Sequence, residues 1–356
     1  MFSRRDLLSL ALATPALAQS QLRWRPVLTI DDPGYQIRLH SACCVTDRIL
    51  LAAATLVNPD DRSSRSVLLV SEDAGSTWVR RKAPGAPRAL FSLGESHVWF
   101  LGENRLWFSS DAGWTFRSLS VPKRTQLVHF RTSLLGFALG RESLHISTDG
   151  GANWASLPEA ARPKWPRAVH WNRAVFQDDR HGILAAITTI PFAPDATGPD
   201  GVTLSARQLR ELGTHGVALL ETADAGQTWQ PRLLSAPGAP VDLLYAQGTL
   251  TGAFLANPDS RRPGVVARFS RNDTSWQTLL EVDGLSPFSL AQFEGELHAA
   301  AIKNEKAEVL ALDAAGQWRR RPVHYSALGE SVHFFSGPRG EPWLLLPTGM
   351  ILAPVS

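Results

Sequence analysis

The chain reads as an all-β, seven-bladed β-propeller. One turn pattern recurs along it, pairs of short apolar strands precede the recurrences, and strand-like runs at its two ends complement each other. The pattern is S/T-x-D-x-G-x-T-W. It occurs as SEDAGSTW at 71–78, SSDAGWTF at 109–116, STDGGANW at 147–154 and TADAGQTW at 222–229. Two decayed copies follow, SRNDTSW at 270–276 and LDAAGQW at 312–318. Their aspartates (Asp73, Asp111, Asp149, Asp224, Asp273 and Asp313) are 38, 38, 75, 49 and 40 residues apart.

The residue types in the pattern suit a rigid hairpin. A short Asp side chain accepts hydrogen bonds from nearby backbone amides and fixes a turn. Gly75, Gly113, Gly151 and Gly226 supply the positive φ such a turn needs. Trp78, Phe116, Trp154 and Trp229 offer a large surface for packing. Five of the 12 Trp close these turns, which assigns them to a core before any ligand platform. Upstream of the second, third and fourth copies, 89–102, 127–140 and 174–186 each read as apolar strand, polar turn, apolar strand. A third strand then enters the turn and a fourth leaves it, so each repeat is one four-stranded blade.

The ends supply the last blade. After the sixth turn come the runs 332–335, 342–346 and 350–355, three strands lacking a fourth. LRWRPVL at 22–28 is a strand lacking an earlier partner. Pairing it with the C-terminal three closes the ring and removes an exposed sheet edge. A ring of seven allots about 48 residues to each blade, within the propeller range; discounting one decayed copy leaves six. The doubled interval holds an insertion at about 191–213, rich in Pro, Gly and Asp. It carries a candidate helix at 205–212 with Ser205 and Gln208 as capping box and Gly213 as stop. It joins second to third strand of the fourth blade, on the propeller face where ligands usually bind.

Composition narrows the class. The chain has 356 residues, 44% hydrophobic and 19% charged, which excludes wholesale disorder. Two Cys build neither a disulfide scaffold nor a four-Cys zinc site. A net charge of +3 is a small imbalance and points to no nucleic-acid face. Residues 1–18 read as a signal peptide: Arg4 and Arg5 precede a short apolar stretch and an Ala-Leu-Ala cleavage site. SRRDLL at 3–8 resembles a twin-arginine export motif, with a general secretion signal as the alternative. The expectation is a single domain at 19–356, periplasmic or extracellular, with no transmembrane segment in the mature chain.

The recurring turn is similar to the Asp-box, or bacterial neuraminidase repeat. That resemblance implies a turn between third and fourth blade strands, away from the ligand face, with the aspartates as fold markers. The repeats are most similar to the photosystem II stability/assembly-factor-like propellers, which implies seven blades and a non-enzymatic, protein-binding or assembly role. The sialidase superfamily resembles the chain more distantly and implies an exo-glycosidase. Its chemistry requires three arginines around a sugar carboxylate and a Tyr nucleophile. Gln36 stands where the first arginine belongs, with Arg38 two residues along, and YSAL at 325–328 resembles the segment carrying the Tyr. Tyr325 and Arg38 are therefore the catalytic candidates of that alternative; the main reading has none.

Binding candidates on the main reading are Arg38, Asp178, Asp179, Arg180, Arg207 and Arg210, charged residues on inner strands, their turns or the insertion. The turn at 178–180 joins first to second strand and so falls on the Asp-box face. No metal-ligand spacing, phosphate loop or cofactor motif is present, so neither metal nor cofactor is expected. The expected partner is another protein or complex, with a glycan as alternative and no nucleic acid. Cys43 and Cys44 read as free thiols on opposite faces of one strand, a vicinal disulfide being the alternative. Arg319, Arg320 and Arg321 read as edge-strand charges or a protein-contact patch.

Overall fold

In the computed structural model, each intact turn closes on its own side chains. Asp73 accepts the Thr77 amide at 2.8 Å and the Thr77 hydroxyl at 2.6 Å. Ser71 Oγ donates to Asp73 at 2.9 Å and accepts the Gly75 amide at 2.8 Å. Asp111, Asp149 and Asp224 repeat this set with Ser109 and Thr115, Ser147 and Asn153, Thr222 and Thr228. The amide after each aspartate donates outward. Ala74, Ala112, Gly150 and Ala225 bond the carbonyls of Arg48, Ser96, Leu134 and Arg180 at 2.8–2.9 Å. Each turn is thereby fastened to the hairpin between the first two strands of its own blade.

The structure describes residues 23–141, 143–157, 170–189, 202–203, 205, 215–246, 249–255, 264–269, 275–282, 284–313, 315–326 and 331–355. The signal segment at 1–18 and nearly all of the 191–213 insertion, including its candidate helix, lie outside them. Among the described residues every regular element is a strand. The strands form seven antiparallel four-stranded sheets. Blades 1 to 7 have as innermost strands Gln36–Cys44, Pro87–Leu93, Thr125–Phe130, His170–Phe176, Ala239–Ala246, Leu285–Phe293 and His333–Ser336. Each innermost strand touches those of both neighbouring blades, and blade 7 touches blade 1, so the ring is closed. In blade 7 the strand Arg23–Thr29 pairs antiparallel with Met350–Val355, from Arg23 opposite Val355 to Thr29 opposite Met350. Both chain ends thus share one sheet.

Packing between blades repeats as regularly as the turns do. One second-strand position lies opposite the same innermost-strand position in every blade. It holds Leu51, Trp99, Phe137, Ile183, Thr251, His298 and Trp343 in blades 1 to 7. The large apolar ones plug the space beneath the next blade's turn. A Cβ on Gly75 would lie 2.9 Å from the Trp343 ring, one on Gly113 2.6 Å from Leu51 and one on Gly226 3.1 Å from Phe137. Glycine is needed there both for this close approach and for φ of 85°, 91° and 88°. Burying each such aromatic plug contributes about 1.5–3 kcal/mol. The turn tryptophans clamp in the other direction: Trp78, Trp154 and Trp318 donate their indole N–H to Val27, Ser120 and Leu279 at 2.8, 3.2 and 2.8 Å, all in the preceding blade. Blade 2 has Phe116 in place of Trp, and there Arg81 of blade 1 reaches across to the Trp114 carbonyl at 2.7 Å.

Candidate functional site

An innermost strand leaves one edge of amides and carbonyls unpaired by its own sheet, facing the centre of the ring. In blades 1 to 6 that strand carries one extra residue against its partner, namely His40, Arg88, Gln126, Asn172, Val241 and Phe288. Such a bulge re-aims the side chain that follows it. In blades 1, 5 and 6 the following residue caps the free edge of the next blade. Ser41 accepts the Leu90 amide at 3.0 Å, Asp242 the Leu290 amide at 2.8 Å and Ser289 the Phe334 amide at 3.1 Å. In blade 4 the following residue is Arg173, whose Nε donates to Asp242 at 3.0 Å and whose Nη2 donates to the Val241 carbonyl.

Arg173, Asp242, Ser289 and His333 therefore form a polar arc on the innermost strands of blades 4 to 7. Burial holds the His333 ring below its ordinary pKa; the Asp242 carboxylate opposes this and the Arg173 guanidinium reinforces it. The arc joins blades by charge-assisted bonds in a partly dry setting, where such bonds are strong. Sequence reasoning missed it. Its one local signal is a polar residue at the same step of the innermost strands of blades 4 to 7, where blades 2 and 3 hold Ala89 and Leu127.

The sequence-derived candidates are scattered. Arg38 is exposed on the innermost strand of blade 1, two residues before the bulge. There it helps burial depress the pKa of His40, whose Nε2 lies 2.9 Å from Thr55 Oγ1. Asp178 organises its own turn, accepting the Arg180 and His181 amides at 2.8 and 2.7 Å. Those two amides and the His181 ring hold its carboxyl down to about 2. Asp179 pairs with Arg131 of blade 3, and the Arg180 carbonyl accepts from the turn of its own blade. All three therefore lie on the face of the repeat turns, opposite Arg38. Arg207 and Arg210 lie outside the described residues. Tyr325 is on the outermost strand of blade 6, packed against the apolar cluster of Trp24, Val323 and Leu344 between blades 6 and 7. Blade 7 stands between it and Arg38.

The turn aspartates and the arginine run have structural partners. The Thr77 hydroxyl and amide hold Asp73 down to about 2, and Thr228 does the same for Asp224. Burial pushes Asp111 up, but the Ser109 and Thr115 bonds outweigh it and leave it at about 2. These carboxylates are ionised acceptors at neutral pH and are unsuited to donating a proton. Cys43 and Cys44 are free and face different apolar clusters. Burial pushes their thiols up to about 12 and about 11, so neither is a ready nucleophile. Arg319, Arg320 and Arg321 pair with Asp313, Glu308 and Glu296 at 2.8, 4.0 and 2.9 Å. No group of three or more His, Cys, Asp or Glu able to hold a metal ion occurs among the described residues. No helix among them is long and apolar enough to cross a membrane.

No family model matches the sequence, and none of the curated proteins matches it. Solved structures do share its shape. YCF48 from Cyanidioschyzon merolae is 15% identical with a TM-score of 0.55, over 93% of this chain and 98% of that one. The extracellular domain of the hybrid two-component system BT4673 from B. thetaiotaomicron is 9% identical with a TM-score of 0.63, over 94% of this chain. An ancestral GH74 enzyme is 11% identical with a TM-score of 0.54, over 93% of this chain. The chain spans only 40% of the sensor protein and 46% of the enzyme. At such low identities the likeness extends to the fold alone, and that fold is a seven-bladed β-propeller.

Proposed function

We propose that this chain is an exported, non-enzymatic propeller that acts as a protein-binding or assembly scaffold in the periplasm or outside the cell. The export signal at 1–18 and the likeness of the Asp-box repeats to photosystem II stability/assembly-factor-like propellers support this reading, and the fold shared with YCF48 is consistent with it. The observation that carries it is how the charged residues are used. The carboxylates of the intact turns are held inside their turns, and Asp242 is held between blades. The ring is thus a stiff frame whose rim presents Arg38. Arg207 and Arg210 of the insertion complete the proposed contact set.

The sialidase-type alternative needs a Tyr and an arginine cluster at one sugar. Tyr325 packed between blades 6 and 7, a full blade from Arg38, speaks against it. The two readings separate in one experiment. Cross-linking of the mature protein in its native compartment should recover one partner reproducibly, and Arg38→Glu should lose it while leaving the thermal midpoint unchanged. Hydrolysis of a fluorogenic sialoside that disappears in Tyr325→Phe overturns the scaffold reading.

A further inference from the structure

The joint between blades 5 and 6 departs from the packing rule in three ways at once. The plug position holds Thr251 where blades 1, 2 and 3 hold Leu51, Trp99 and Phe137. Its cross-strand neighbour on the third strand is Arg268, where those blades hold Val70, Phe108 and Ile146. The facing turn of blade 6 has Ala315 two residues after its aspartate. That residue is exposed, whereas Gly75, Gly113, Gly151 and Gly226 are buried at the same step. With no large plug and no buried glycine at that step of the turn, a cavity of about 310 Å³ opens on the turn face, lined by Leu244, Thr251, Arg268, Gln292, Leu297 and Asp313 among others. That is at the small end of the ~300–1,000 Å³ usual for ligand pockets.

The groups in it are poised for a negative ligand. Thr251 is only 4% exposed, and it lines the cavity. Arg268 is exposed, on the same sheet face, and has no carboxylate partner among the described residues. Asp313 lines the wall, but its charge is already engaged by Arg319 at 2.8 Å and by the Ala315 and Gln317 amides at 3.0 and 2.9 Å. The uncompensated charge is therefore the guanidinium. We propose that this cavity binds a small monocarboxylate. The Arg268 fork takes two coplanar oxygens, the Thr251 hydroxyl donates a further bond, and Leu244 and Leu297 flank an apolar body. A dianion such as phosphate fits less well, because one guanidinium faces it while Asp313 stands in the wall.

Benzoate is the probe, with benzyl alcohol as its neutral counterpart and inorganic phosphate as the competing anion. Benzoate should raise the thermal midpoint of the mature protein saturably, and benzyl alcohol should not. Arg268→Gln should weaken benzoate at least about tenfold without changing the unliganded midpoint. Thr251→Leu, which reinstates the plug of blade 1, should abolish binding while the protein stays folded. The proposal fails if benzoate does not saturate, if it binds the wild type and both variants alike, or if phosphate binds in its place.

Discussion

Blades 1 to 4 and blades 5 to 7 are built on one plan but are held together differently. In the first group every turn is intact and each plug is a large apolar side chain, from Leu51 to Ile183. In the second the turn of blade 6 keeps only the backbone bonds to Asp313. Ala311 stands where Ser71, Ser109, Ser147 and Thr222 stand in the others, and an ion pair to Arg319 is added. The plugs of blades 5 and 6 are Thr251 and His298. His298 is 2% exposed, its two ring nitrogens have no hydrogen-bond partner among the described residues, and Glu296 lies 3.7 Å away. From blade 4 round to blade 7 the innermost strands carry polar bridges, Arg173 to Asp242, Asp242 to Leu290 and Ser289 to Phe334, and blades 1 and 2 share one through Ser41 and the Leu90 amide. Apolar packing near the turns and hydrogen bonding near the centre are two ways of fixing neighbouring sheets. Weakening the first leaves room for a cavity without opening the ring.

The largest contrast should come from truncating equivalent plugs. Phe137→Ala, at a position with no exposure, should cost about 3–5 kcal/mol in urea denaturation, and Thr251→Ala less than about 1 kcal/mol. Equal costs would show that the two joints carry equal packing energy. Next comes Asp242→Ala, which strands the Leu290 amide and unpairs Arg173. A loss of about 2–4 kcal/mol is expected by the same measurement, and no loss would remove the polar arc from the account of blades 4 to 7. Ser109→Ala orphans the buried Gly113 amide and should cost about 1–3 kcal/mol. The reverse change, Ala311→Ser, should gain no more than about 1 kcal/mol, since one hydroxyl does not restore the missing glycine step.

The smallest expected effect is a pH slope. His129 of blade 3 lies between the Phe91 and Phe176 rings at 4.9 and 5.3 Å. Burial, helped by Arg131, pushes its pKa from 6.5 down to about 4. The unfolded chain therefore takes up a proton that the folded one refuses. Stability from this group is present above pH 6.5 and is lost as pH falls towards 4. His129→Phe should flatten the denaturation midpoint over that window in part, because burial also lowers His298, to about 4. An unchanged slope would show that His129 does not contribute to it.

Much of the fold was legible because its signals are local. Asp73 and Thr77 are four residues apart, and their bond needs nothing beyond the turn itself. The pairing of 22–28 with the C-terminal runs was legible because an open ring leaves a sheet edge bare. The candidate site was far less legible. Arg173 and Asp242 are 69 residues apart, and Asp242 and Leu290 are 48 apart. No periodicity in the chain announces that these particular side chains meet. Asp178, Asp179 and Arg180, singled out for their charge, serve a turn and a neighbouring hairpin on the other face from the rim.

Taken alone, the sequence determined the turns, the apolar strand pairs of each blade and the strand that joins the two ends, and it favoured seven blades over six. These follow from short-range hydrogen bonding and from the need to cover sheet edges and apolar faces. Only the tertiary structure decided which residues of one blade face the next, that Thr251 and Arg268 share an unfilled space, and that Tyr325 is packed away from Arg38. Those contacts depend on how far each sheet is turned about the ring axis, a quantity set jointly by all seven blades.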